Sequence, residues 1–294
     1  MEIRRRESNV IVVGVDGSKA GLEAVTWAAR EAALRGGDAV RVVHTMAEWP
    51  LEMDDAAPHA EVGRWMRDSA AAVLEEAAQH VKNEVPGIDV ETRLLAGDPR
   101  ATLIETSRDA DLLVVGSHGL GGFRGLLLGS VALGVSGQAV CPVAVVRARP
   151  EPSHNVVVVG VDGSPGNAEV IELAFAEATL RGAELHAIHA WNSAIIGYGP
   201  ETLADALDAA TTERRLLADL VSGCAARHPD VTVVERSRHG HPAEVLREAS
   251  QGAELLVVGS RGRGPFAGLM LGSVSHALLH HATCPVIVLP TAQP

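Results

Sequence analysis

Residues 112–119 read LLVVGSHG and residues 255–262 read LLVVGSRG, so one apolar run with a glycine pair occurs twice in the chain. In each copy, nine residues separate the second glycine from a Gly-Ser pair, at 129–130 and again at 272–273. An apolar run, a glycine-rich loop and a helical pattern in this order predict a strand–loop–helix junction. Such junctions bind phosphates, because glycine admits an anion close to the backbone and the N–H groups of the following helix attract it.

Short apolar runs alternate with longer helical patterns on both sides of this stretch. In the first half, β-branched apolar runs predict five strands, at 10–15, 39–45, 88–95, 111–116 and 141–146. Apolar residues at helical spacing predict the helices between them, at 20–35, 60–84, after Asp98-Pro99, and 130–139. The acidic segment 46–58, with two prolines, predicts a loop. This alternation predicts an α/β domain with a parallel sheet covered by helices on both faces.

The second half of the chain repeats the first. VIVVGVDGS at 10–18 returns as VVVVGVDGS at 156–164, and the terminal CPVAVV run returns as CPVIVL. A repeat of this length indicates a duplicated domain, because solenoid repeats are much shorter. The polar, proline-containing segment between the copies predicts a linker. We therefore expect a first domain over 1–147, a linker over 148–155 and a second domain over 156–294.

Composition limits the partners and the compartment. The formal net charge of −12 argues against a nucleic-acid or anionic-membrane partner, because both require clustered basic residues. The three cysteines, Cys141, Cys224 and Cys284, are too few and scattered for a disulfide framework, and they are interpreted as packing residues. No run approaches the roughly 18 apolar residues of a membrane span, and the run after the N-terminal arginines is about half a signal-peptide core. We expect a cytoplasmic protein without a membrane span.

The turn after the first strand carries the second group of candidate site residues. In an open parallel sheet, ligands bind at the carboxyl ends of the strands where the strand order reverses, which brings the first and fourth turns together. The first turn holds Gly14 and Asp16 in one half and Gly160 and Asp162 in the other. An ionised carboxylate there can accept hydrogen bonds from ribose hydroxyls or an adenine amino group. The alternative role for each aspartate is a helix N-cap.

The glycine loops favour phosphate binding because both copies keep the same internal spacing. Ser130 and Ser273 offer a hydroxyl and an N–H group, and the N–H groups of Val131 and Val274 would also point outward. The alternative is a pair of turning loops in which each serine is an ordinary N-cap. His118 and Arg261 share one loop position, so either they reach the phosphates or they are solvated.

Other nucleotide and catalytic motifs fit less well. Neither lysine of the chain lies in a glycine loop, which excludes P-loop chemistry there, and a formal GxGxxA match at 262–267 is interpreted as coincidence. No acidic residue lies in the first glycine loop to activate water, so no residue is assigned a catalytic role.

His276 and His280 share a helix face and could ligate a metal with a third residue, but solvent-facing histidines are the favoured interpretation, so no metal site is predicted.

The fifth strands suggest a mode of association. CPVAVV and CPVIVL end their domains, and at a sheet edge they would expose unpaired backbone groups that call for a partner strand. The two strands could pair with each other and join the halves as an intrachain pseudo-dimer. We also expect a homodimer.

VGVDGS, the second strand ending in His44-Thr45 or His189-Ala190, the complete glycine loop and the terminal Cys-Pro-Val strand together resemble the universal stress protein family, in its ATP-binding branch. The resemblance implies two Rossmann-like domains with strand order 3-2-1-4-5. It also implies that Asp16 and Asp162 contact the nucleoside and that Thr45 and Ala190 line adenine, although Thr45 departs from the small apolar residue usual at that position. The implied phosphate-loop residues are Gly116, Ser117, Gly119, Gly129, Ser130 and Val131, with Gly259, Ser260, Gly262, Gly272, Ser273 and Val274 in the second domain.

The expected function is an ATP-binding stress-response protein with one nucleotide site per domain. The nucleotide, with or without Mg²⁺, would act as a structural or regulatory ligand. Two alternatives stay open. The first is a slow Mg²⁺-dependent ATPase or nucleotidyl transferase, and the second is an interaction hub that works without nucleotide.

Overall fold

A computed structural model describes residues 10–54, 56, 58–120, 128–147, 154–164, 166–192, 200–262 and 270–291. The chain divides into two compact units, Met1–Ala148 and Arg149–Pro294. Each unit alternates strands with helices, as the sequence predicts. No helix in these described ranges is long and apolar enough to cross a membrane.

Five strands and five α-helices lie in the described part of the first unit. The strands are β1 Ile11–Val15, β2 Ala39–Met46, β3 Asp89–Ala96, β4 Leu112–Gly116 and β5 Val143–Val146. The helices are α1 Lys19–Leu34, α2 Trp49–Glu52, α3 Ala60–Glu84, α4 Pro99–Thr106 and α5 Ser130–Gln138, with a 3₁₀ turn at Ser107–Asp109.

The second unit repeats this arrangement without a described counterpart of the short α2. Its strands are β6 Val156–Val161, β7 Glu184–Trp191, β8 Val233–His239, β9 Leu255–Gly259 and β10 Val286–Leu289. Its helices are α6 Asn167–Arg181, α7 Pro200–Ala225, α8 Pro242–Ala249 and α9 Ser273–His281.

Each unit forms a parallel five-stranded sheet with the order implied by the resemblance. The order is β3-β2-β1-β4-β5 in the first unit and β8-β7-β6-β9-β10 in the second. The central strand β1 pairs in parallel with both β2 and β4, and β6 pairs in parallel with β7 and β9. Helix α1 packs with α3 and α4 packs with α5, and the second unit repeats these pairs as α6 with α7 and α8 with α9. The predicted doubly wound fold is confirmed in both units.

Two details of the first unit differ from the sequence prediction. The segment predicted as a loop contains the one-turn helix α2, which begins beside Pro50, where the fixed φ of proline suits a helix start. Helix α3 buries Gly63, whereas Val62, an apolar residue at helical spacing with Ala70, Ala77 and Val81, stays 47% exposed. A Cβ on Gly63 would lie 3.0 Å from the Met53 sulfur, so this glycine allows the close approach of that side chain.

Candidate functional site

The turns after β1 and β4 meet through the Asp16 carboxylate. Its Oδ1 accepts a 3.0 Å hydrogen bond from the N–H of Ser18, and its Oδ2 accepts a 2.8 Å hydrogen bond from the N–H of Leu120. The Asp16 side chain therefore spans the carboxyl edge of the sheet and ties the glycine loop to the first turn. Sequence reasoning placed Asp16 at this edge but did not identify the Leu120 N–H as its partner.

The second glycine of each loop faces this carboxylate. A Cβ on Gly119 would lie 2.2 Å from Asp16 Oδ2, and a Cβ on Gly262 would lie 2.3 Å from Asp162 Oδ2. Both distances are far below van der Waals contact, so any larger residue would displace the aspartate. Asp162 also accepts a 2.9 Å hydrogen bond from the Ser164 N–H, which repeats the Asp16–Ser18 contact. The glycine and the aspartate therefore form one structural pair in each unit.

Neither aspartate caps the helix that follows it. In the first unit the N-cap of α1 is Ser18, whose hydroxyl accepts a 3.1 Å hydrogen bond from the Gly21 N–H. In the second unit α6 begins at Asn167 and its N-cap is Gly166, which has no capping side chain. Both carboxylates therefore lie at the carboxyl edge without serving as helix caps.

Each glycine loop closes on itself immediately before its helix. The Gly129 N–H donates to the Ser117 carbonyl at 2.7 Å, and the Gly272 N–H donates to the Ser260 carbonyl at the same distance. The interior of the two loops, including most of the GxGxxA match at 262–267, lies outside the described residues. The repeated closure fixes where α5 and α9 begin.

Helices α5 and α9 begin without a capping side chain. Their N-caps are Gly129 and Gly272, and Ser130 and Ser273 are the first helical residues, so the alternative in which these serines cap the helices is wrong. Both serines are exposed, and the valine after each one is half-buried. The first N–H groups of a helix have no partner within the helix, and the helix dipole adds partial positive charge there. Each unit therefore presents backbone donors at a helix start, where an anion is favoured.

The first glycine and the serine of the loop in the first unit face the protein interior. A Cβ on Gly116 would lie 2.6 Å from the Ala20 carbonyl oxygen, so this glycine lets α1 pack directly against the end of β4. Ser117 is buried, and its N–H donates to the Val146 carbonyl at 2.9 Å. Replacing Gly116 with alanine would disturb the packing of α1, so that substitution does not report on ligand binding alone.

The corresponding residues of the second unit also contact the interior. A Cβ on Gly259 would lie 3.2 Å from a methyl carbon of Thr291, and the Ser260 hydroxyl accepts a 3.0 Å hydrogen bond from the Thr291 N–H. The predicted first-turn glycines serve packing in the same way. A Cβ on Gly14 would lie 2.8 Å from Leu103, and one on Gly160 would lie 2.9 Å from Leu246.

The histidine near the end of the second strand holds the neighbouring strand in each unit. His44 Nδ1 lies 2.8 Å from the Val15 carbonyl oxygen, and His189 Nδ1 lies 2.7 Å from that of Val161. Because a carbonyl can only accept, Nδ1 carries the proton in both contacts. These contacts fix the strand ends at the half-buried residues Thr45 and Ala190, which the resemblance assigns to adenine. Only the repetition of the histidine in both copies could have suggested this role.

A cavity of about 670 Å³ lies beyond Thr45 at the carboxyl ends of β2 and β3. Its lining comes from α2 and from the start of α4, namely Ala47, Glu48, Trp49, Glu52, Gly97, Asp98 and Pro99. The Trp49 side chain is 46% exposed and offers a flat apolar surface beside the carboxylates of Glu48, Glu52 and Asp98. The segment that would correspond to α2 in the second unit lies largely outside the described residues.

The remaining candidate residues lie at the edge of the site or away from it. His118 is exposed, with its Nδ1 2.9 Å from the Ser117 hydroxyl, while Arg261 is half-buried. The rings of His276 and His280 lie 4.7 Å apart on α9. Among the residues that the structure describes, no third histidine, cysteine or carboxylate joins them in a metal-binding group.

The family is decided by comparison of the whole chain with known proteins. The model of the universal stress protein family matches residues 7–147 and again residues 154–290. The chain belongs to the universal stress protein family. It has the tandem form of the family, because two copies of the domain occupy nearly its full length.

Mycobacterial universal stress proteins of the same length are similar to this tandem chain. It is 37% identical over 298 residues to universal stress protein Rv2005c of Mycobacterium tuberculosis, with 96% of this chain and 97% of the relative covered. A universal stress protein of Mycolicibacterium smegmatis is 37% identical over 289 residues, with 95% and 96% covered. These relatives therefore match this universal stress protein through both of its domains.

A solved structure agrees with the fold. The crystal structure of a universal stress protein from Archaeoglobus fulgidus superposes with a TM-score of 0.69 at 23% identity and covers 97% of both chains. At that level of identity the likeness supports the fold and carries nothing about the ligand.

Proposed function

We propose that this universal stress protein binds ATP at the carboxyl edge of each sheet, with one nucleotide per unit. The observation that carries the proposal is the pair of uncapped helix starts, at Gly129 and Gly272, each in the unit whose aspartate is held against the loop glycine. Other described helices, such as α3 and α8, also begin without a side-chain cap, so the distinguishing feature of α5 and α9 is that they follow the loops whose glycines face the aspartates. Glycine at both N-caps leaves these donors for a ligand, and a phosphate is the group they suit best.

The phosphates would lie at the starts of α5 and α9. The N–H groups of Ser130 and Val131 in the first unit, and of Ser273 and Val274 in the second, are at the first two helical positions. The exposed serine hydroxyls add a donor that can rotate toward a phosphate oxygen. The net charge of −12 makes such local donors necessary, because the protein as a whole repels anions.

The nucleoside would lie toward β1 and β2. The Asp16 oxygens each accept one backbone hydrogen bond, which leaves further lone pairs for ribose hydroxyls or an amino group. In the first unit, Thr45 and the adjoining cavity with Trp49 provide space and an aromatic surface for a base. The second unit offers Asp162 and Ala190 at the matching positions.

We propose that the nucleotide is a structural or regulatory ligand. The carboxylate nearest the loop, Asp16, is already held by two backbone donors, and this fixes it as an acceptor that links two turns. A nucleotide bound across those turns would add contacts to both. Because the nucleotide binds the folded protein and not the unfolded chain, it would stabilise the fold.

The decisive measurement is the nucleotide content of freshly purified protein, counted per chain by mass spectrometry, together with calorimetric titration by ATP with and without Mg²⁺. We expect two sites per chain. A protein that neither carries nor binds adenine nucleotide would contradict the proposal. Phosphate release that follows the protein through purification would instead support the slow ATPase or nucleotidyl transferase.

Substitutions at the two N-caps assign the sites to their units. Gly129 has φ −77° and ψ 150°, a conformation that any residue can adopt, and Gly272 has φ −67° and ψ 152°. Gly129→Asp supplies a capping carboxylate that satisfies the helix N–H groups and repels phosphate, whereas Gly129→Ser caps without charge. We expect Gly129→Asp to remove one ATP site and Gly272→Asp to remove the other; a Cβ would lie 3.3 Å from backbone atoms at both positions, so the serine variants also control for this close contact. The serine variants should retain more ATP affinity than the aspartate variants.

A further inference from the structure

The second unit contains a basic cavity that the carboxyl-edge site does not use. A cavity of about 260 Å³ lies on the face of β7 and β8, between these strands and the end of α8. Four basic side chains line it, His154, His186, Arg236 and Arg238, against the single acid Glu248. None of the nucleotide-site candidates belongs to its lining.

The acids near the cavity offset only part of this charge. Glu248 lies 3.8 Å from the Arg247 guanidinium on its own helix, and Glu184 lies 3.2 Å from His186 Nε2. Across the described ranges, Arg236 and Arg238 form no ion pair with any carboxylate. Both arginines are exposed, so they are solvated in the free protein and can bind an anion that enters the cavity.

The first unit shows how the same positions look when the charges are neutralised. There Arg41 faces Glu91 across β2 and β3, and the Arg41 Nε donates to a Glu91 oxygen at 2.7 Å. The Arg93 Nε donates to the other Glu91 oxygen at 2.6 Å. The hydrogen bonds from Arg41 and Arg93 lower the pKa of Glu91, so the group stays ionised. Arg41 and Arg93 therefore share one carboxylate of the same unit as their partner.

Strand register identifies which residues replace this cluster in the second unit. Gly14 and Gly160 occupy matching positions, and from them His186 corresponds to Arg41 and Arg236 to Arg93. By the same register, Val234 stands where the first unit has Glu91. The second unit thus keeps the basic residues and lacks the acid that neutralises them. It also has Arg238 where the first unit has Leu95.

We propose that this cavity binds a small organic phosphate whose anionic group takes the place of the missing carboxylate. Arg236 and Arg238 are two residues apart on one strand, so both side chains lie on the same face, and a guanidinium pairs with phosphate through two parallel N–H donors. His154 and His186 add further ring nitrogens at the cavity. The buried Ile188 and the half-buried Val156 supply an apolar surface for the carbon part of the ligand. The volume lies below the usual range for drug-sized ligands, which favours a compound the size of a short phosphorylated polyol.

The test uses the full chain and glycerol phosphate as the probe, with inorganic phosphate and glycerol as comparison compounds. Binding is followed by NMR of the arginine side-chain N–H resonances and by calorimetry. We expect saturable shifts of the Arg236 and Arg238 resonances with glycerol phosphate, weaker ones with inorganic phosphate and none with glycerol. The shifts should persist in Gly272→Asp, which separates this cavity from the proposed nucleotide site.

Two variants and one control test whether glycerol phosphate binds at this cavity. Arg238→Gln should lower the affinity about tenfold or more, because it removes a charge-assisted hydrogen-bonding group from an exposed position. Val234→Glu, which restores the acid of the first unit, should weaken binding, because the new carboxylate lies opposite His186 and two residues from Arg236 and would pair with both. Arg93→Gln is the matched control in the first unit and should leave the affinity unchanged. Absence of saturable shifts at millimolar glycerol phosphate, or equal losses in Arg93→Gln and Arg238→Gln, would overturn the proposal.

Discussion

The Asp16 carboxylate accepts a 2.8 Å hydrogen bond from the N–H of Leu120, which lies 104 residues further along the chain. This contact joins the turn after β1 to the glycine loop after β4. A Cβ on Gly119 would lie 2.2 Å from the same Asp16 oxygen, so the loop has room for this carboxylate only because its fourth residue is glycine. The aspartate and the glycine depend on each other, and both units contain the pair.

Asp16→Asn should weaken the first unit. An amide has one accepting oxygen, so it cannot accept from both the Ser18 and Leu120 N–H groups as the carboxylate does. We expect a loss of about 1–3 kcal/mol in the free energy of unfolding, together with weaker ATP binding in this unit. Urea denaturation and calorimetric titration measure the two effects.

Asp111→Asn is the matched control for this substitution. Asp111 also accepts a backbone hydrogen bond, from the Val10 N–H at 2.8 Å, but it lies at the opposite, amino edge of the same sheet. Because the Asn oxygen can still accept this single N–H, Asp111→Asn should leave both stability and ATP affinity close to wild type. If Asp16→Asn and Asp111→Asn changed ATP affinity equally, the aspartate at the carboxyl edge would have no special connection to the ligand.

Gly119→Ala and Gly223→Ala should have opposite effects on stability. A methyl group at Gly119 would collide with Asp16, so this variant should lose stability and ATP affinity together. Gly223 lies in α7 with no heavy atom within 4 Å of a Cβ, and alanine is the better helix former there. We expect Gly223→Ala to raise the free energy of unfolding by about 0.5–1 kcal/mol. Thermal unfolding of both variants checks the signs, and a neutral Gly119→Ala would contradict the contact.

Acid should weaken the contact between α6 and α7 through Glu172. The hydrogen bond from Arg227 lowers the pKa of Glu172 to about 2, and His228 and Cys224 also contact this carboxylate. Because the pKa in the folded protein lies below the unfolded value of about 4.3, ionised Glu172 favours the fold above that value. This contribution disappears as the pH falls toward about 2. The carboxyl group is 45% exposed, so solvent screens the effect and it should be modest.

Denaturant unfolding across this acid range measures the Glu172 contribution. Glu172→Gln cannot ionise and should lose less stability than wild type between neutral pH and pH 2. Arg227→Gln removes the main cause of the lowered pKa and should flatten the profile in the same way. A wild-type profile as flat as that of Glu172→Gln would rule out this linkage.

Cys141 should be inert in the folded protein. Burial raises the pKa of its thiol to about 11, and its side chain lies in the interior beside β5. Since the thiolate is the reactive form, labelling by iodoacetamide near pH 8 should be at least about 100-fold slower in the native protein than in urea. Mass spectrometry of the labelled peptides gives the rate for each cysteine. Equal native and unfolded rates would show that Cys141 is accessible, contrary to the packing role assigned to it.

The sequence predicted most of the fold because the deciding signals are local. Runs such as VIVVGV at 10–15 have the length and β-branched content of buried strands, and Asp98-Pro99 marks the start of α4, where Asp98 accepts from the Ala101 N–H. The one-turn helix α2 was not predicted, because four residues are too few to show a helical period. The exposure of Val62 could not be predicted either, since it depends on contacts of α3 with segments distant in sequence.

The candidate site could be predicted only in part from the sequence. Repetition of the glycine loop and of the aspartate marked the carboxyl edge as the place to look. It did not separate glycines that face a ligand from glycines that permit packing, such as Gly116 against Ala20. Composition gave no sign of the basic cavity either, because Arg236 and Arg238 are ordinary surface residues until strand register shows that Val234 replaces the acid of the first unit.

By itself, then, the sequence determined two duplicated α/β domains, the place of each strand, and the position of a glycine loop before α5 and α9. These properties follow from residue type and spacing along the chain. Only the tertiary structure decided that Asp16 reaches Leu120, that Gly116 serves packing, and that two arginines of the second unit lack an acid. Those contacts join residues distant in sequence, and the register of the strands and the packing of the helices decide which of them meet.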